Sequence, residues 1–223
     1  MYKLGIEQDR GILEIGAGNG YWSHAVKKYY LLQKQNKLPS SSSMPTKSTK
    51  SSDKVDENAD FIVAFDDYSS IPLATSANNS TNHVVRRGNH VDAINFLKEE
   101  KESNQQQHYA GRILLLVYPP PGNMAYESVM EYTKSNPNLN DTIVYIGEGR
   151  DGANANKDFF DYFCCSNSMN NANSDDNNDC NWSLIDVMDV WHLEDEVDLG
   201  RSKSRGGRKS LEKCFTFKRA HAD

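Results

Sequence analysis

The chain lacks the features that mark secreted, membrane-spanning or nucleic-acid-binding proteins. Only four of its 223 residues are cysteine, and no C-x-x-C pair occurs, which favours reduced thiols over a disulfide framework. No apolar run approaches the ~18 residues of a membrane span, and the polar first residues do not form a signal peptide. The net charge of −6 provides no basic field for a nucleic-acid backbone. These absences predict a cytoplasmic protein without membrane contact, for which nucleic acid is a less favoured partner.

Apolar residues are also scarce, at 37% of the sequence, which is low for a compact domain. The deficit is concentrated in a Ser/Lys-rich stretch at 35–58, an Asn/Asp-rich stretch at 166–181 and a Gly/Arg/Ser-rich stretch at 200–210. Such segments bury too little apolar surface to offset the entropy of ordering. We therefore expect three disordered insertions in a single domain that spans residues 1–223.

Outside these stretches, short aliphatic runs alternate with amphipathic segments, which predicts a parallel sheet with crossover helices. The strands are predicted at Gly11–Ile15, Asp60–Phe65, His83–Val85, Arg112–Tyr118, Thr142–Ile146, Trp182–Val187 and Lys213–Lys218. The helices are predicted near Tyr21–Gln33, Val91–Lys101, Met124–Ser135 and Lys157–Cys165. The fourth and fifth strands are almost continuously apolar, as central parallel strands are. The last strand alternates, which predicts a half-exposed or edge strand that runs antiparallel.

The stretch ILEIGAGNGYW, residues 12–22, places Gly16, Gly18 and Gly20 directly after a short apolar run. Glycine tolerates positive φ and lets a ligand lie against the backbone, so this turn predicts a bound ligand. The alternative is a glycine-rich turn that binds nothing. A dinucleotide fingerprint would need its third glycine at position 21, where the chain has Tyr21, and a nicotinamide-dependent reductase is therefore disfavoured.

The pattern E-x-G-x-G-x-G resembles motif I of the class I S-adenosylmethionine-dependent methyltransferases, usually written [D/E]-x-G-x-G-x-G. The resemblance implies a Rossmann-like class I methyltransferase fold, an α/β architecture with a mostly parallel seven-stranded sheet, helices on both faces and an antiparallel last strand. It also implies that S-adenosyl-L-methionine is the cofactor. The loop backbone at Gly16, Ala17, Gly18 and Gly20 would approach the amino-acid part of the cofactor, and Glu14 would lie near its ammonium group.

Further positions follow in the order that this resemblance implies. Such families place an acid at the end of the second strand to hold the ribose hydroxyls, and Asp66 takes that position once the first insertion is discounted. Asp67 is interpreted as a helix cap or a solvent-facing charge. After the third strand, Asn89 falls where related enzymes often have an acid that binds the adenine amino group, and its amide oxygen can accept the same bond. Asp92 is another candidate for the adenine contact, and the alternative is a charge at a helix N-terminus, which is slightly favoured.

The segment Tyr118-Pro119-Pro120-Pro121 follows the fourth strand, where these enzymes place their substrate-facing loop. It resembles the [D/N/S]-P-P-[Y/F/W] loop of amino-methylating enzymes, in which a polar residue and the adjacent backbone carbonyl hold the target nitrogen, but it departs at both ends. Tyr118, Pro119, Pro120 and Glu148 are the predicted catalytic or acceptor-binding residues, with Glu148 as a general base or a substrate contact. The alternative for the segment 118–121 is a strand terminator, and the alternative for Glu148 is a position in a solvated turn.

Domains of this family usually carry a helical segment before the first strand, which here begins about ten residues into the sequence. A shortened gene product or a more open cofactor pocket is expected, and both lower the affinity. The histidines are scattered, so no metal site is predicted. The sequence thus predicts a methyltransferase acting on an unidentified small-molecule or protein acceptor. The alternative is a non-catalytic module that keeps the fold for binding or scaffolding.

Overall fold

The structure is a computed structural model that describes residues 10–37, 61–69, 85–102, 111–164, 182–190 and 212–220. These residues form the strands β1 (Ile12–Ile15), β2 (Ile62–Asp66), β3 (Val85–Arg87), β4 (Ile113–Val117), β5 (Thr142–Glu148), β6 (Trp182–Asp189) and β7 (Glu212–Arg219). The helices are α1 (Tyr21–Lys37), α2 (His90–Glu102), α3 (Met124–Ser135) and α4 (Lys157–Cys164). Each predicted strand and helix has a counterpart, with shifts at the ends. The third strand was predicted at His83–Val85, of which only Val85 belongs to β3, whereas residues 83 and 84 lie outside the described residues. The predicted insertions lie outside the described residues, except for 35–37, which belong to the last turn of α1.

The strands form one sheet in the order β3-β2-β1-β4-β5-β7-β6. The pairs from β3 to β5 are parallel, whereas β7 is antiparallel to both of its neighbours. The order reverses between β1 and β4, because the chain first builds outward through β2 and β3 and then returns to build the other half. This is the doubly wound arrangement of Rossmann-like folds, in which ligands bind beyond the carboxyl ends of the strands at the reversal point.

Helices cover both faces of the sheet, which explains why its central strands carry apolar side chains on both sides. Ile94 of α2, Val129 of α3 and Phe159 of α4 belong to the apolar cluster on one face. Val26 and Tyr30 of α1 belong to the cluster on the other face. All residues of β1, β2 and β4 are buried, so the three loops that follow these strands leave from a rigid base.

The last strand, β7, is antiparallel and partly exposed, as predicted, whereas the alternative that it forms an edge is wrong. It lies between β5 and β6, and the edge strand at that end of the sheet is β6. The alternation in the sequence was misleading because Thr216, which reads as an exposed polar position, is fully buried in the strand centre beside Cys214 and Phe217. A hydroxyl-bearing side chain can occupy a buried strand position that the pattern of polar and apolar residues assigns to solvent.

The amino-terminal edge of the sheet is held by a polar cluster centred on Arg10. Its guanidinium donates to the Gly111 carbonyl at 2.6 Å and forms an ion pair with Asp141 at 2.7 Å. Nearby, the buried side chain of Asn140 donates to the Tyr132 carbonyl at 2.7 Å. These contacts fix the ends of β1, β4 and β5 that lie opposite the predicted site.

Candidate functional site

The carboxyl edge of the sheet gathers the loops that carry the predicted site residues. The described residues that follow the five parallel strands are 16–20, 67–69, 88–89, 118–123 and 149–156, of which 67–69 are only the first part of the segment between β2 and β3. Since parallel strands end at the same edge, these segments leave the sheet side by side. The topology therefore places the glycine loop at the reversal point, between the loop after β2 and the loop after β4.

The glycine loop needs glycine for its own backbone shape. Gly16, Gly18 and Gly20 have φ angles of +75°, +58° and +77°, a region that residues with a Cβ rarely adopt. The N–H groups of Gly16 and Ala17 both donate to the carbonyl of Phe65, at 2.9 and 3.0 Å. The turn is thus fixed against the end of β2, and its conformation is set before any ligand is considered.

Asp66 points toward this glycine loop. Its Oδ2 accepts a hydrogen bond from the N–H of Gly18 at 2.7 Å, and its Oδ1 accepts one from the N–H of Tyr68 at 2.6 Å. An ionised carboxylate offers about four acceptor positions, so two hydrogen bonds leave capacity for ligand hydroxyls. Asp67 instead lies exposed, and hydrogen bonds from the Ser69 side chain and from the Ser69 N–H, the latter at 2.8 Å, hold the pKa of that carboxyl below its ordinary value. Of the two acids, Asp66 is the one that contacts the loop, and its ribose contact stays a prediction.

Glu14 is almost fully buried, with 1% of its surface exposed, and accepts a hydrogen bond from the hydroxyl of Ser23 in the first turn of α1. Burial raises the pKa of the Glu14 carboxyl to about 7, although the Ser23 bond lowers it, and the nearby charge of Asp66 raises it further. This carboxyl therefore keeps its proton to a higher pH than an exposed glutamate does. A cation placed beside it would favour the ionised form.

The side chains of Met124 and Trp22 border the crevice between the loops after β1 and β4. A Cβ at Gly16 would lie 2.8 Å from the Cε atom of Met124, so the first residue of α3 lies directly over the loop. On the side of α1, the ring of Trp22 meets the ring of Tyr118 edge to face, with centroids 6.4 Å apart. Trp22 is partly buried and packs against the apolar cluster on the α1 face of the sheet. No sequence pattern identifies Met124, because its contact depends on how α3 leaves β4.

Asn89 is the N-cap of α2. Its Oδ1 accepts hydrogen bonds from the N–H groups of Val91 and Asp92, at 2.9 and 3.2 Å, and Asp92 Oδ2 accepts the N–H of Asn89 at 2.9 Å. This reciprocal arrangement is a capping box. The two bonds use both acceptor positions of the amide oxygen, so an adenine amino group would have to replace one of them. The position of Asp92 agrees with its interpretation as a helix-terminal charge.

Tyr118 adopts a backbone conformation that is rare for a bulky residue, with φ at +46°. Its hydroxyl donates to Oε2 of Glu212 at 3.0 Å, and its N–H donates to the carbonyl of Ile146 at 2.8 Å. The next residue, Pro119, is buried, whereas Pro120 is exposed. Backbone strain of this kind persists only where the surroundings hold it, and it is concentrated at functional sites.

Glu148 and Glu212 lie directly opposite each other in the ladder between β5 and β7, which places two carboxylate side chains on the same face at the carboxyl edge. The Oε2 atom of Glu148 accepts the N–H of Ala153 at 2.7 Å, which closes the turn that follows β5. Sequence reasoning identified Glu148 and missed Glu212. Residues 148 and 212 are brought together only because β7 inserts beside β5, which no local motif indicates.

Within the described ranges, no group of three His, Cys, Asp or Glu side chains could hold a metal ion. The helices in the same ranges are all too short or too polar to span a lipid bilayer. No protein-family model, no curated protein and no solved structure matches this chain. A functional assignment therefore depends on the residues at the carboxyl edge.

Proposed function

We propose that the chain is an S-adenosylmethionine-dependent methyltransferase whose cofactor lies across the carboxyl ends of β1 to β3. The observation that carries the proposal is the Asp66 carboxylate directed at a loop of three positive-φ glycines, with Gly18 as the point of contact. These are the two positions that the resemblance assigns to the ribose and to the amino-acid part of the cofactor. The Rossmann-like sheet supports the proposal because its reversal point lies between the loops after β1 and β4.

The chemistry of the available side chains suits such a ligand. Glu14, whose pKa is about 7, would be ionised by an adjacent ammonium group, and the spare acceptor positions of Asp66 would hold vicinal hydroxyls. S-adenosylmethionine supplies an activated methyl group on its sulfonium. The protein would contribute mainly by aligning an acceptor with that group and by excluding water.

The acceptor side would be formed by Tyr118, Pro119, Pro120 and Glu148, with Glu212 as an additional residue. The carbonyl of Pro119 already accepts two hydrogen bonds from the loop after β5, at 3.2 and 3.4 Å. A substrate nitrogen held by this oxygen would have to displace one of those donors. The acceptor, a small molecule or a protein, would therefore be held chiefly by the side chains of this wall.

A non-catalytic module is the second candidate, and a specific observation favours it. The N–H of Gly18 and the amide oxygen of Asn89, two groups that a bound cofactor would contact, are satisfied by the protein itself. Such a module would keep the fold, with or without a bound cofactor, and would not transfer a methyl group. Ligand binding and methyl transfer must therefore be measured separately.

Isothermal titration with S-adenosylhomocysteine, S-adenosylmethionine and NAD tests the cofactor assignment. The D66A variant should bind S-adenosylhomocysteine more weakly by about 1–3 kcal/mol, because it removes the predicted hydroxyl contacts. The matched D67A variant should bind like the wild type, since Asp67 is exposed and its side chain contacts Ser69. The free energy of unfolding of ligand-free D66A and D67A shows how much stability is lost with the hydrogen bond from Gly18 to Asp66. Equal affinity of D66A and the wild type would refute the ribose assignment, and preferential binding of NAD would refute the cofactor.

Methyl transfer is tested with S-adenosylmethionine and a panel of amine, hydroxyl and carboxylate acceptors, with mass spectrometry as the readout. The enzyme proposal expects a mass increase of one methyl group in one acceptor class. Binding of the cofactor without product in any class would support the non-catalytic module instead.

A further inference from the structure

Hydrogen bonds join the loop after β5, residues 149–156, to the loop after β4, residues 118–123. The carbonyl of Pro119 accepts the N–H of Ala155 at 3.2 Å and the Nδ2 of Asn154 at 3.4 Å. The other end of the same amide group, the Oδ1 of Asn154, accepts the N–H of the last residue of β5 at 3.2 Å. The side chain of Asn154 thus bridges the end of β5 and the Pro-Pro segment.

A second bridge joins the far ends of the two loops. The Nδ2 of Asn156 donates to the Oδ1 of Asn123 at 2.8 Å. The Oδ1 of Asn156 accepts the N–H of Phe159 at 3.0 Å, as an N-cap of α4 does. One asparagine therefore starts α4 and also holds the end of the β4 loop, which leads into α3 one residue later.

Backbone strain is concentrated in the same two loops. Of the four non-glycine residues with positive φ in the described ranges, three lie here: Tyr118 at +46°, Asp151 at +68° and Ala155 at +58°. Ala155 is also the residue whose N–H bonds to the Pro119 carbonyl. Conformations of this kind persist only where neighbouring contacts fix them, and the two asparagine bridges are such contacts.

We propose that Asn154 and Asn156 are positioning residues that fasten the two loops into one preformed wall. The inference rests on the proposed function for the identification of this wall as the acceptor side. A wall that is ordered before the acceptor arrives removes the cost of ordering a loop on binding. It also holds Tyr118 at a fixed distance from the glycine loop, which a transfer reaction requires. Acceptor specificity is then set jointly by the loops after β4 and β5.

An exchange of amide and carboxylate groups between residues 123 and 156 tests the second bridge. Each single variant, N123D or N156D, keeps one amide donor and one oxygen acceptor, because the remaining asparagine can turn its amide. The double variant N123D/N156D places two carboxylates opposite each other and breaks the bridge. All three variants keep the cap of α4, since aspartate caps as well as asparagine.

Amide hydrogen exchange measured by NMR gives the readout, at the N–H groups of Ala155 and Glu127, which donate to the carbonyls of Pro119 and Asn123. In the two single variants, exchange should stay within about twofold of the wild type. In the double variant it should be about tenfold faster, which is the effect of one lost hydrogen bond and an added repulsion. Exchange in the double variant that equals that of the single variants would overturn the proposal.

The N154D variant tests the first bridge, because it replaces the donor to Pro119 with a carboxylate. Exchange at Ala155 should rise about tenfold. N140D is the matched control, since it makes the same change at a buried asparagine on the opposite edge of the sheet. N140D should not accelerate exchange in the two loops more than in the strands of the sheet. A uniform rise over β4 and β5 in N154D would mean general destabilisation and would contradict a positioning role.

Titration of the same variants with S-adenosylhomocysteine separates this inference from the proposed function. If the wild type does not bind the ligand, the cofactor proposal fails, whereas the exchange data still decide the loop contacts. If the ligand binds normally and the bridges show no effect on exchange, the positioning role of Asn154 and Asn156 fails alone.

Discussion

The buried carboxyl of Glu14 should make the stability of the protein depend on pH. Its pKa is raised by burial from an ordinary value of 4.5 to about 7. The folded state therefore binds a proton more tightly than the unfolded chain does. The stabilisation from this proton is fully present below pH 4.5 and is lost as the pH rises through about 7. At about 1.4 kcal/mol for each unit of pKa, the loss amounts to about 3 kcal/mol.

Urea unfolding at several pH values between 5 and 8 measures this loss, with E14Q as the reference variant. Glutamine keeps the size and a polar contact to Ser23 but cannot titrate, so titrations elsewhere in the chain cancel in the comparison. The wild type should lose about 2–3 kcal/mol more than E14Q across this range. In S23A the decline should extend to higher pH, because the Ser23 hydrogen bond lowers the Glu14 pKa. Equal pH dependence in the wild type and E14Q would refute the reasoning.

The same carboxyl connects stability to the proposed ligand. An ammonium group beside Glu14 would favour the ionised form, so binding near pH 7 should release a proton. The affinity for S-adenosylhomocysteine should therefore rise between pH 6 and 8 in the wild type and change less in E14Q. Calorimetry in buffers with different ionisation enthalpies counts the protons released. Binding without a difference between the two proteins would place the ammonium group away from Glu14.

Two further pairs of substitutions test the geometry of the crevice. G16A should destabilise the fold by about 1–2 kcal/mol in denaturant unfolding. Alanine is strained at the positive φ of this position, and its Cβ would lie too close to the Cε of Met124. The double variant G16A/M124A should recover only the stability lost through the close contact with Met124. Full recovery would contradict the contribution of backbone strain at residue 16. Y118F should cost about 1 kcal/mol through loss of the bond to Glu212. E212Q, which keeps an acceptor for the hydroxyl, should cost less, and equal losses would show that charge rather than the bond is involved.

The sequence indicated the elements more reliably than it indicated the contacts of single residues. Apolar runs bounded by polar residues identified β4 and β5, since burial on both faces requires apolar side chains at every position. The same logic failed at Thr216, because a buried threonine cannot be distinguished from an exposed one by pattern. At Asn89 the sequence did not indicate that the side-chain oxygen caps α2, and its contact with adenine stays a prediction.

The sequence by itself determined the glycine turn, the acid at the end of β2 and the succession of strands and helices. These follow from local rules, because glycine adopts positive φ without steric cost and the period of the apolar residues indicates the type of each element. Only the tertiary structure decided that Glu212 lies opposite Glu148, that Met124 covers Gly16, and that Asn154 bridges two loops. Such contacts join residues distant along the chain, and they exist only after strand order and helix packing have brought those residues together.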